Sequence, residues 1–187
     1  YPEGRPLVIV ANDCTVQSGS FGVDEDLFFD KVSKYARANG YPRLHIASDS
    51  GARSGLAEEV KPYFQIAWND PDNEALGYKY LYLAEEDAAR CGDGIVSGEW
   101  VTEGGEKRLK LEYIVGEKDG IGVENLRGSG LIAGETSAAY DETFTLSYVT
   151  GRSVGIGAYI NRLAQRAIQM KNGPMILTGF SALNKLL

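Results

Sequence analysis

The sequence has few of the side chains that most often carry metal or nucleophilic chemistry. Its 187 residues include one histidine, His45, and two cysteines, Cys14 and Cys91, which lack the spacing of a CxxC motif. A single imidazole excludes a multi-histidine metal centre supplied by this chain alone. His45 also falls within a predicted strand, where a structural, hydrogen-bonded histidine is more common than a member of a catalytic triad. We therefore expect no metal site and no Ser-His-Asp triad.

Long hydrophobic runs are absent as well. No stretch approaches the roughly 18 consecutive apolar residues of a membrane helix, and the polar start, YPEGRP, lacks the pattern of a signal peptide. The composition, with 43% hydrophobic and 24% charged residues, is that of an ordinary globular protein. These features predict a soluble protein with a hydrophobic core and no membrane partner.

Acidic residues are missing from the last quarter of the chain. All 26 lie at or before Glu142, together with 14 of the 19 basic residues, so positions 143–187 carry five basic residues and no acid. The net charge of −7 argues against nucleic acid as a partner, because such binding needs a broad basic surface. The basic segment suits either one local site for an anionic ligand or a solvated helix face.

Apolar residues follow a pattern that alternates between strands and helices, which predicts an α/β fold. The middle of the chain is interpreted as an elaboration that contains a hairpin turning at Gly104 and Gly105. The predicted strands are 7–10, 43–48, 78–83, 144–149 and 174–178, with the hairpin over 95–115. The predicted helices are 24–39, 56–61, 123–140 and 153–170.

Two of these helices have side-chain stripes that predict how they pack. In the first helix, the expected buried stripe consists of Phe28, Val32, Tyr35 and Ala36. In the helix over 123–140, small residues recur at four-residue spacing and would let another backbone approach closely. These small residues are Ser129, Ala133 and Ser137.

Two strand-to-helix junctions, SDSGAR at 48–53 and TGRSVGIG at 150–157, combine glycine with other small residues. First-turn N–H groups of a helix lack an internal acceptor, and glycine lets a ligand approach the main chain, so each junction could hold an anion or an oxyanion. The alternative is a tight turn that simply needs glycine. A dinucleotide fingerprint is excluded, because Ile160 replaces the third glycine of GxGxxG and no ribose-binding acid follows.

Carboxylates offer candidates for acid/base chemistry, each with a structural alternative. Asp49 could act as a base or could accept hydrogen bonds from turn amides. The Glu58–Glu59 pair could supply an acid/base group or could form a solvated helix face. The side chains alone therefore name no reaction.

The longest distinctive motifs are DGIGVENLRGSGLIAGETSAAY at 119–140 and TGRSVGIGAYINRLAQRAIQ at 150–169. Shorter ones are GSFG with DEDLFF at 19–29, SGARSGLAEEV at 50–60, AWNDP at 67–71, YLYL at 80–83, and ILTG with ALNK within 176–185. Together they resemble the N-terminal half of the carboxyltransferase domain of eukaryotic multidomain acetyl-CoA carboxylases. The resemblance covers nearly the whole chain, so residues 1–187 are identified as part of that half.

The resemblance implies a crotonase-like α/β fold, a superhelix of β-β-α units, here forming a single domain with an inserted β-hairpin. It implies transfer of a carboxyl group from carboxybiotin to acetyl-CoA, giving malonyl-CoA for fatty-acid synthesis. Biotin would be carried on a separate carrier domain, ATP would be used only by a separate biotin carboxylase domain, and no metal would be needed. The ureido oxyanion of biotin would be the base and main-chain amides the electrophiles, which would explain the lack of a catalytic side chain.

The resemblance also assigns roles to residues at both glycine-containing junctions. Backbone amides would stabilise the oxyanions, and one guanidinium would bind the anionic CoA part of the substrate. The implied catalytic amides are those of Gly155, Ile156, Gly157 and Ser48, and the implied substrate-binding residues are Arg152, Gly51 and Ala52.

Further implied partners are the C-terminal half of the carboxyltransferase domain, the biotin-carrier domain and a second subunit in a homodimer. The implied location is the cytoplasm, or a plastid in a photosynthetic source. Without the C-terminal half, the chain alone is expected to have little or no turnover. Two other interpretations stay open: a crotonase-fold acyl-CoA hydratase or hydrolase with Asp49 or Glu58 as base, and a non-catalytic assembly module.

Overall fold

The computed structural model describes residues 2–53, 55, 57–92, 94–114, 116, 123–178 and 184. In this part of the chain the helices are α1 (Val23–Ala38), α2 (Glu85–Cys91), α3 (Val123–Glu142) and α4 (Ile156–Leu163). The strands are β1 (Val8–Ala11), β2 (Arg43–Ala47), β3 (Gln65–Trp68), β4 (Tyr78–Ala84), β5 (Val96–Glu103), β6 (Glu106–Ile114), β7 (Thr145–Val149), β8 (Ser153–Val154), β9 (Arg166–Gln169) and β10 (Met175–Ile176). The α/β class predicted from the sequence is confirmed.

Contacts divide the chain into two compact units, where the sequence predicted a single domain. The first, the parallel-sheet unit, comprises Tyr1–Arg53 and Asn125–Leu187, and the second, the antiparallel-sheet unit, comprises Ser54–Glu124. No helix in the described ranges is both long and apolar enough to cross a membrane.

The parallel-sheet unit is built on four parallel strands in the order β1-β2-β7-β9. The predicted β-α-β opening is confirmed by β1, α1 and β2. Helix α1 begins where the Glu25 carboxylate accepts a hydrogen bond from the Gly22 N–H at 3.1 Å, and three acids in its first turn favour the helix dipole. It ends before Gly40, whose φ of 64° lies in the left-handed region that glycine adopts easily.

The core of this unit contains Phe29 rather than the predicted Phe28. Phe29 is 2% exposed and packs with Val10, Phe21, Ile132 and Ile160, whereas Phe28 is 61% exposed. Only part of the predicted stripe is therefore correct. The buried face of α1 is rotated from the predicted stripe and includes two carboxylates. Its buried residues are Asp26, Phe29, Asp30, Ser33 and Ala36.

Helix α3 also packs through a different face from the one its small residues predicted. Ser137 is exposed, whereas Gly128 is buried against Asp26 of α1, and a Cβ added to Gly128 would collide with the Asp26 carboxylate. Arg37 of α1 joins the two helices by ion pairs with Glu135 at 2.6 Å and Glu142 at 2.8 Å. The close approach of α3 to α1 is thus made at Gly128 and not at the predicted stripe of residues 129, 133 and 137.

The predicted helix over 153–170 is wrong in both its start and its end. Ser153 and Val154 form β8, which pairs with β10, and the helix runs only from Ile156 to Leu163. Ala164 has an extended ψ of 151°, and β9 then extends the parallel sheet beside β7. The Gln165 N–H donates to Thr145 Oγ1 at 3.0 Å. Tertiary strand pairing therefore overrides the helical periodicity of this segment.

The antiparallel-sheet unit is larger than the predicted inserted hairpin. Its four strands follow the order β3-β4-β6-β5, and the predicted hairpin is confirmed as β5 and β6. The turn residues Gly104 and Gly105 both have positive φ, 62° and 83°, as a type I′ turn requires. Among the described residues of the predicted helix over 56–61, hydrogen-bonded turns stand in its place. Strand β3 and helix α2 had not been predicted.

Candidate functional site

The two glycine-containing junctions meet in the parallel-sheet unit because they follow neighbouring parallel strands, β2 and β7. The Thr150 N–H donates to the Ala47 carbonyl at 2.9 Å, and the Asp49 N–H donates to the Arg152 carbonyl at 2.8 Å. Ligand sites of open α/β sheets commonly form at the carboxyl ends of the strands. Five of the seven site residues predicted from the sequence therefore lie on two loops that are hydrogen-bonded to each other, and the other two, Ile156 and Gly157, lie in the first turn of α4 directly after the second loop.

The buried side chain of Asp49 joins these two loops by hydrogen bonds. Its side chain is fully buried, its Oδ2 accepts a hydrogen bond from Ser153 Oγ at 2.6 Å, and its Oδ1 accepts from the N–H groups of Gly51 at 2.9 Å and Val154 at 3.2 Å. Burial raises the pKa of Asp49 above its usual value, although these three donors oppose the shift. We refer to Asp49 with its three donors as the Asp49 clip.

Neither candidate base is placed as an acyl-CoA hydratase or hydrolase would need it. Asp49 has no exposed surface and directs both oxygens at protein donors. Glu58 belongs to the antiparallel-sheet unit and forms an exposed ion pair with Lys61 at 3.1 Å. A general base must reach the proton that it removes, so the buried carboxylate suits a structural role.

The space beside these glycines is occupied by other groups of the protein. A Cβ added to Gly157 would collide with the Asp49 carboxylate, and one added to Gly151 would collide with the Ser48 side chain. Gly51 has a φ of 78°, and a Cβ there would lie 2.7 Å from the Val154 carbonyl oxygen. The tight-turn interpretation is therefore correct for these positions, and it holds alongside any role of the main chain in binding.

The backbone amides divide into those already used and those still open. Gly155 N–H donates to the Ile176 carbonyl at 2.9 Å, which removes Gly155 from the predicted oxyanion donors because its hydrogen is committed to the β8–β10 ladder. The N–H groups of Ile156, Gly157 and Ser48 have no acceptor among the described residues. The first two lie in the first turn of α4, at the positive end of the helix dipole.

Arg152 lies on the same pair of loops and is exposed. Its Nη2 donates to Ser50 Oγ at 2.9 Å, which ties the guanidinium to the opposite loop and leaves it open to solvent. Ala52 is exposed and Gly51 is buried, so the two predicted substrate-binding neighbours differ in access. The loops thus place one cation and unpaired N–H groups in the same region, a combination that favours anions.

Sequence reasoning missed the polar side chains beneath these loops. Ser153 and Asn161 are both fully buried, and Asn161 Nδ2 donates to Ser153 Oγ at 3.0 Å. The available signal was a polar residue on the apolar face of the helix that carries Ile160. His45 is buried in β2 and bonded by asparagine side chains, as expected for a structural histidine.

A cavity of about 370 Å³ lies beside this region, lined by residues that include Asn12, Phe21, Glu25, Phe28 and His45. None of the predicted site residues lines it. Within the described residues, no cluster of three or more His, Cys, Asp and Glu side chains is arranged to hold a metal ion. The chemistry available at the loops is accordingly that of main-chain N–H donors and one arginine.

Comparison with known protein families places the chain in a defined class of proteins. Residues 1–187 match the carboxyl transferase domain model, and the chain belongs to that family. It is 53% identical over 191 residues to acetyl-CoA carboxylase of Saccharomyces cerevisiae strain ATCC 204508 / S288c, in an alignment that covers 100% of the chain and 9% of that protein.

A second relative is the acetyl-CoA carboxylase named mitochondrial from S. cerevisiae strain RM11-1a. It is 52% identical over 191 residues, which again cover 100% of the chain and 8% of that protein. The chain therefore spans less than a tenth of the length of the curated relatives that it matches. The resemblance to acetyl-CoA carboxylases inferred from the motifs is confirmed.

Proposed function

We propose that this chain forms part of the site at which a biotin-dependent carboxylase transfers a carboxyl group to acetyl-CoA, giving malonyl-CoA. Membership of the carboxyl transferase family and 53% identity to an acetyl-CoA carboxylase support the reaction class. Biotin, carried on another domain, would supply both the carboxyl group and the base. The residues of this chain would then bind the thioester substrate and stabilise negative charge.

The observation that carries the proposal is the set of unpaired N–H groups of Ile156, Gly157 and Ser48 on loops joined by the Asp49 clip. Preorganised N–H donors stabilise the oxyanion that develops on a thioester during enolate formation, and they need no side chain to do so. Held in place by the protein, they would not have to reorganise as charge develops. This accounts for a site with an amide turn and no exposed acid/base pair.

Arg152 would bind the anionic part of coenzyme A. Its guanidinium is exposed and tethered to Ser50 by one hydrogen bond, so most of its donors remain directed at solvent. A planar guanidinium can bind phosphate oxygens in bidentate fashion. Arg162 in α4 is also exposed but lies beyond the joined loops, and we assign it no role.

The remaining features are those that the family resemblance implies, and they belong to the proposal. They are a crotonase-like superhelix, completion of the site by the C-terminal half of the carboxyltransferase domain in a homodimer, little turnover by this chain alone, and a role in fatty-acid synthesis. ATP would act only at a separate biotin carboxylase domain. The cytoplasmic location expected from the resemblance lacks support, because one relative is named mitochondrial, and we propose no compartment.

Calorimetric titration of the protein with CoA tests the role of Arg152. Arg152→Glu should weaken binding by about tenfold to a hundredfold, since a charge-assisted hydrogen bond contributes about 1.5–3 kcal/mol and each 1.4 kcal/mol is a factor of ten. Arg162→Glu makes the same change of charge and should leave the affinity unchanged.

Equal effects of the two substitutions would show that only the overall charge matters, and an unchanged Arg152→Glu affinity would remove Arg152 from the site. Association of the chain without any CoA binding would favour the assembly-module interpretation instead. Circular dichroism of both variants would confirm that neither substitution unfolds the protein.

A further inference from the structure

A series of buried polar side chains, hydrogen-bonded one to the next and called the polar chain below, continues inward from the Asp49 clip. Ser153 Oγ, which donates to Asp49, accepts a hydrogen bond from Asn161 at 3.0 Å, and the other end of the Asn161 amide lies 3.0 Å from His45 Nδ1. All four side chains are at most 2% exposed. Buried polar groups of this kind strongly affect local order, because each one that loses its partner is costly.

The far end of the polar chain holds the imidazole of His45 in place. Asn12 Nδ2 donates to the Gly19 carbonyl at 3.1 Å, so Asn12 presents its carbonyl oxygen to His45 Nε2 at 3.0 Å. Both ring nitrogens of His45 thus face an asparagine side-chain oxygen, and the ring donates through one of them according to its tautomer. The rings of Phe21 and Phe29 meet the imidazole edge-on at 6.4 and 5.5 Å, which holds its plane.

The remaining hydrogen bonds run from Asn161 towards Asp49. Burial lowers the pKa of His45 to about 4, helped by the like charge of Arg43 on the same strand and opposed by Asn161, so the ring is neutral near pH 7. Asn161 Nδ2 donates to Ser153 Oγ, and Ser153 Oγ in turn donates to Asp49 Oδ2.

Asp49 also accepts the Gly51 and Val154 N–H groups through Oδ1, so the polar chain ends on the turn that carries the unpaired N–H groups. The Asn161 amide suits the middle of the polar chain, because its oxygen can accept from the imidazole while its NH₂ group donates to a hydroxyl. The charged side chains facing the chain are Arg43 from β2 and Arg152 from the loop.

We propose that His45 is a positioning residue of the carboxyltransferase site, acting through Asn161, Ser153 and Asp49 on the turn at 154–157 that carries the unpaired N–H groups. The inference rests on the proposed function for the use of those groups. Asp49 holds the Val154 N–H directly and packs against Gly157, so any shift of its carboxyl group must move the turn.

Asn161→Asp in the complete protein that contains this chain is the sharpest test, because it preserves size and removes both N–H donors. We expect kcat to fall about tenfold or more, with KM for acetyl-CoA changed less than about twofold, because donors aimed at the oxyanion act mainly in the transition state. Amide hydrogen exchange at 154–157 should become about tenfold faster. His45→Phe should behave alike, and combining the two should add little, as expected for members of one chain.

Val10→Ala is the matched control. Val10 pairs with His45 in the β1–β2 register, is 8% exposed and lies outside the polar chain. It should lower the melting temperature while leaving kcat and exchange at 154–157 within about twofold of the unchanged protein, as expected for a core truncation away from the site.

If Asn161→Asp lowers the melting temperature but leaves kcat and exchange at the turn unchanged, the positioning role of His45 is overturned. If the unsubstituted protein shows no carboxyltransferase turnover, the proposed function fails. In that case faster exchange at the turn still supports the link from His45 to the turn, and unchanged exchange refutes it.

Discussion

Gly157→Ala isolates the contact on which the joined loops depend. Gly157 lies in the first turn of α4 with helical backbone, so alanine is compatible with its conformation. The added methyl group would nevertheless occupy the space of the Asp49 carboxylate, which is fully buried. The substitution therefore acts on one side-chain contact and on no backbone strain.

The expected loss of stability follows from the hydrogen bonds that Asp49 must give up. To clear the methyl group, the carboxyl group has to move away from Ser153 Oγ, now at 2.6 Å, and from the Val154 N–H, now at 3.2 Å. Each such bond to a buried acid contributes about 1.5–3 kcal/mol, giving a loss of about 3–6 kcal/mol for the two. Replacing glycine in a helix returns up to about 1 kcal/mol, so we expect a net loss of about 2–5 kcal/mol.

Urea denaturation monitored by circular dichroism measures this loss, with Gly134→Ala as the control. Gly134 lies within α3, and a Cβ there would meet nothing within 4 Å, so alanine should stabilise the protein by about 0.5–1 kcal/mol. A Gly157→Ala protein with an unchanged or raised urea midpoint would refute the reasoning. It would mean that Asp49 can move without losing its donors.

Two further predictions concern pH and ion pairing in the parallel-sheet unit. The pKa of His45 is about 4 in the folded protein against 6.5 for the free side chain, so between these pH values the unfolded state binds a proton that the folded state does not. The free energy of unfolding should therefore fall by up to about 3 kcal/mol as the pH drops from 6.5 to 4. The urea midpoint of His45→Phe should depend less steeply on pH over this range, and an equal pH dependence of the two proteins would contradict the prediction. Arg37→Gln should lower the urea midpoint more than Lys61→Gln, because it leaves the buried Glu135 and the exposed Glu142 without their shared partner, and equal midpoints would refute this.

Local sequence signals predicted the elements that depend on local energetics. The acids and Gly40 that bound α1, and the paired glycines of the β5–β6 turn, act through the dipole and through positive φ, so their positions were predictable. The segment 164–169 was not predictable in the same way. Its helical periodicity continues that of α4, and only pairing with β7, a distant part of the chain, makes it a strand.

The sequence indicated which loops form the candidate site but not which contacts hold those loops in place. Glycine-rich junctions after two strands indicated where N–H groups would be open, and parallel pairing of β2 and β7 brings those junctions together. The sequence could not show that Gly155 donates to Ile176, or that Asp49 rather than a ligand occupies the space beside Gly157. Both depend on distances between residues far apart in the chain.

Where main-chain N–H groups would bind the ligand, the residues that supply those groups can vary more than the residues that hold them in place. Only proline removes the N–H of Ile156, so other side chains can replace it, whereas Asp49, Ser153 and Gly157 each have a contact that one added or lost atom would break. Arg152 is the exception, because its side chain would itself meet the ligand. A saturation screen for carboxyltransfer should therefore tolerate changes at Ile156 other than proline and reject changes at Gly157, the reverse of what direct side-chain catalysis would give.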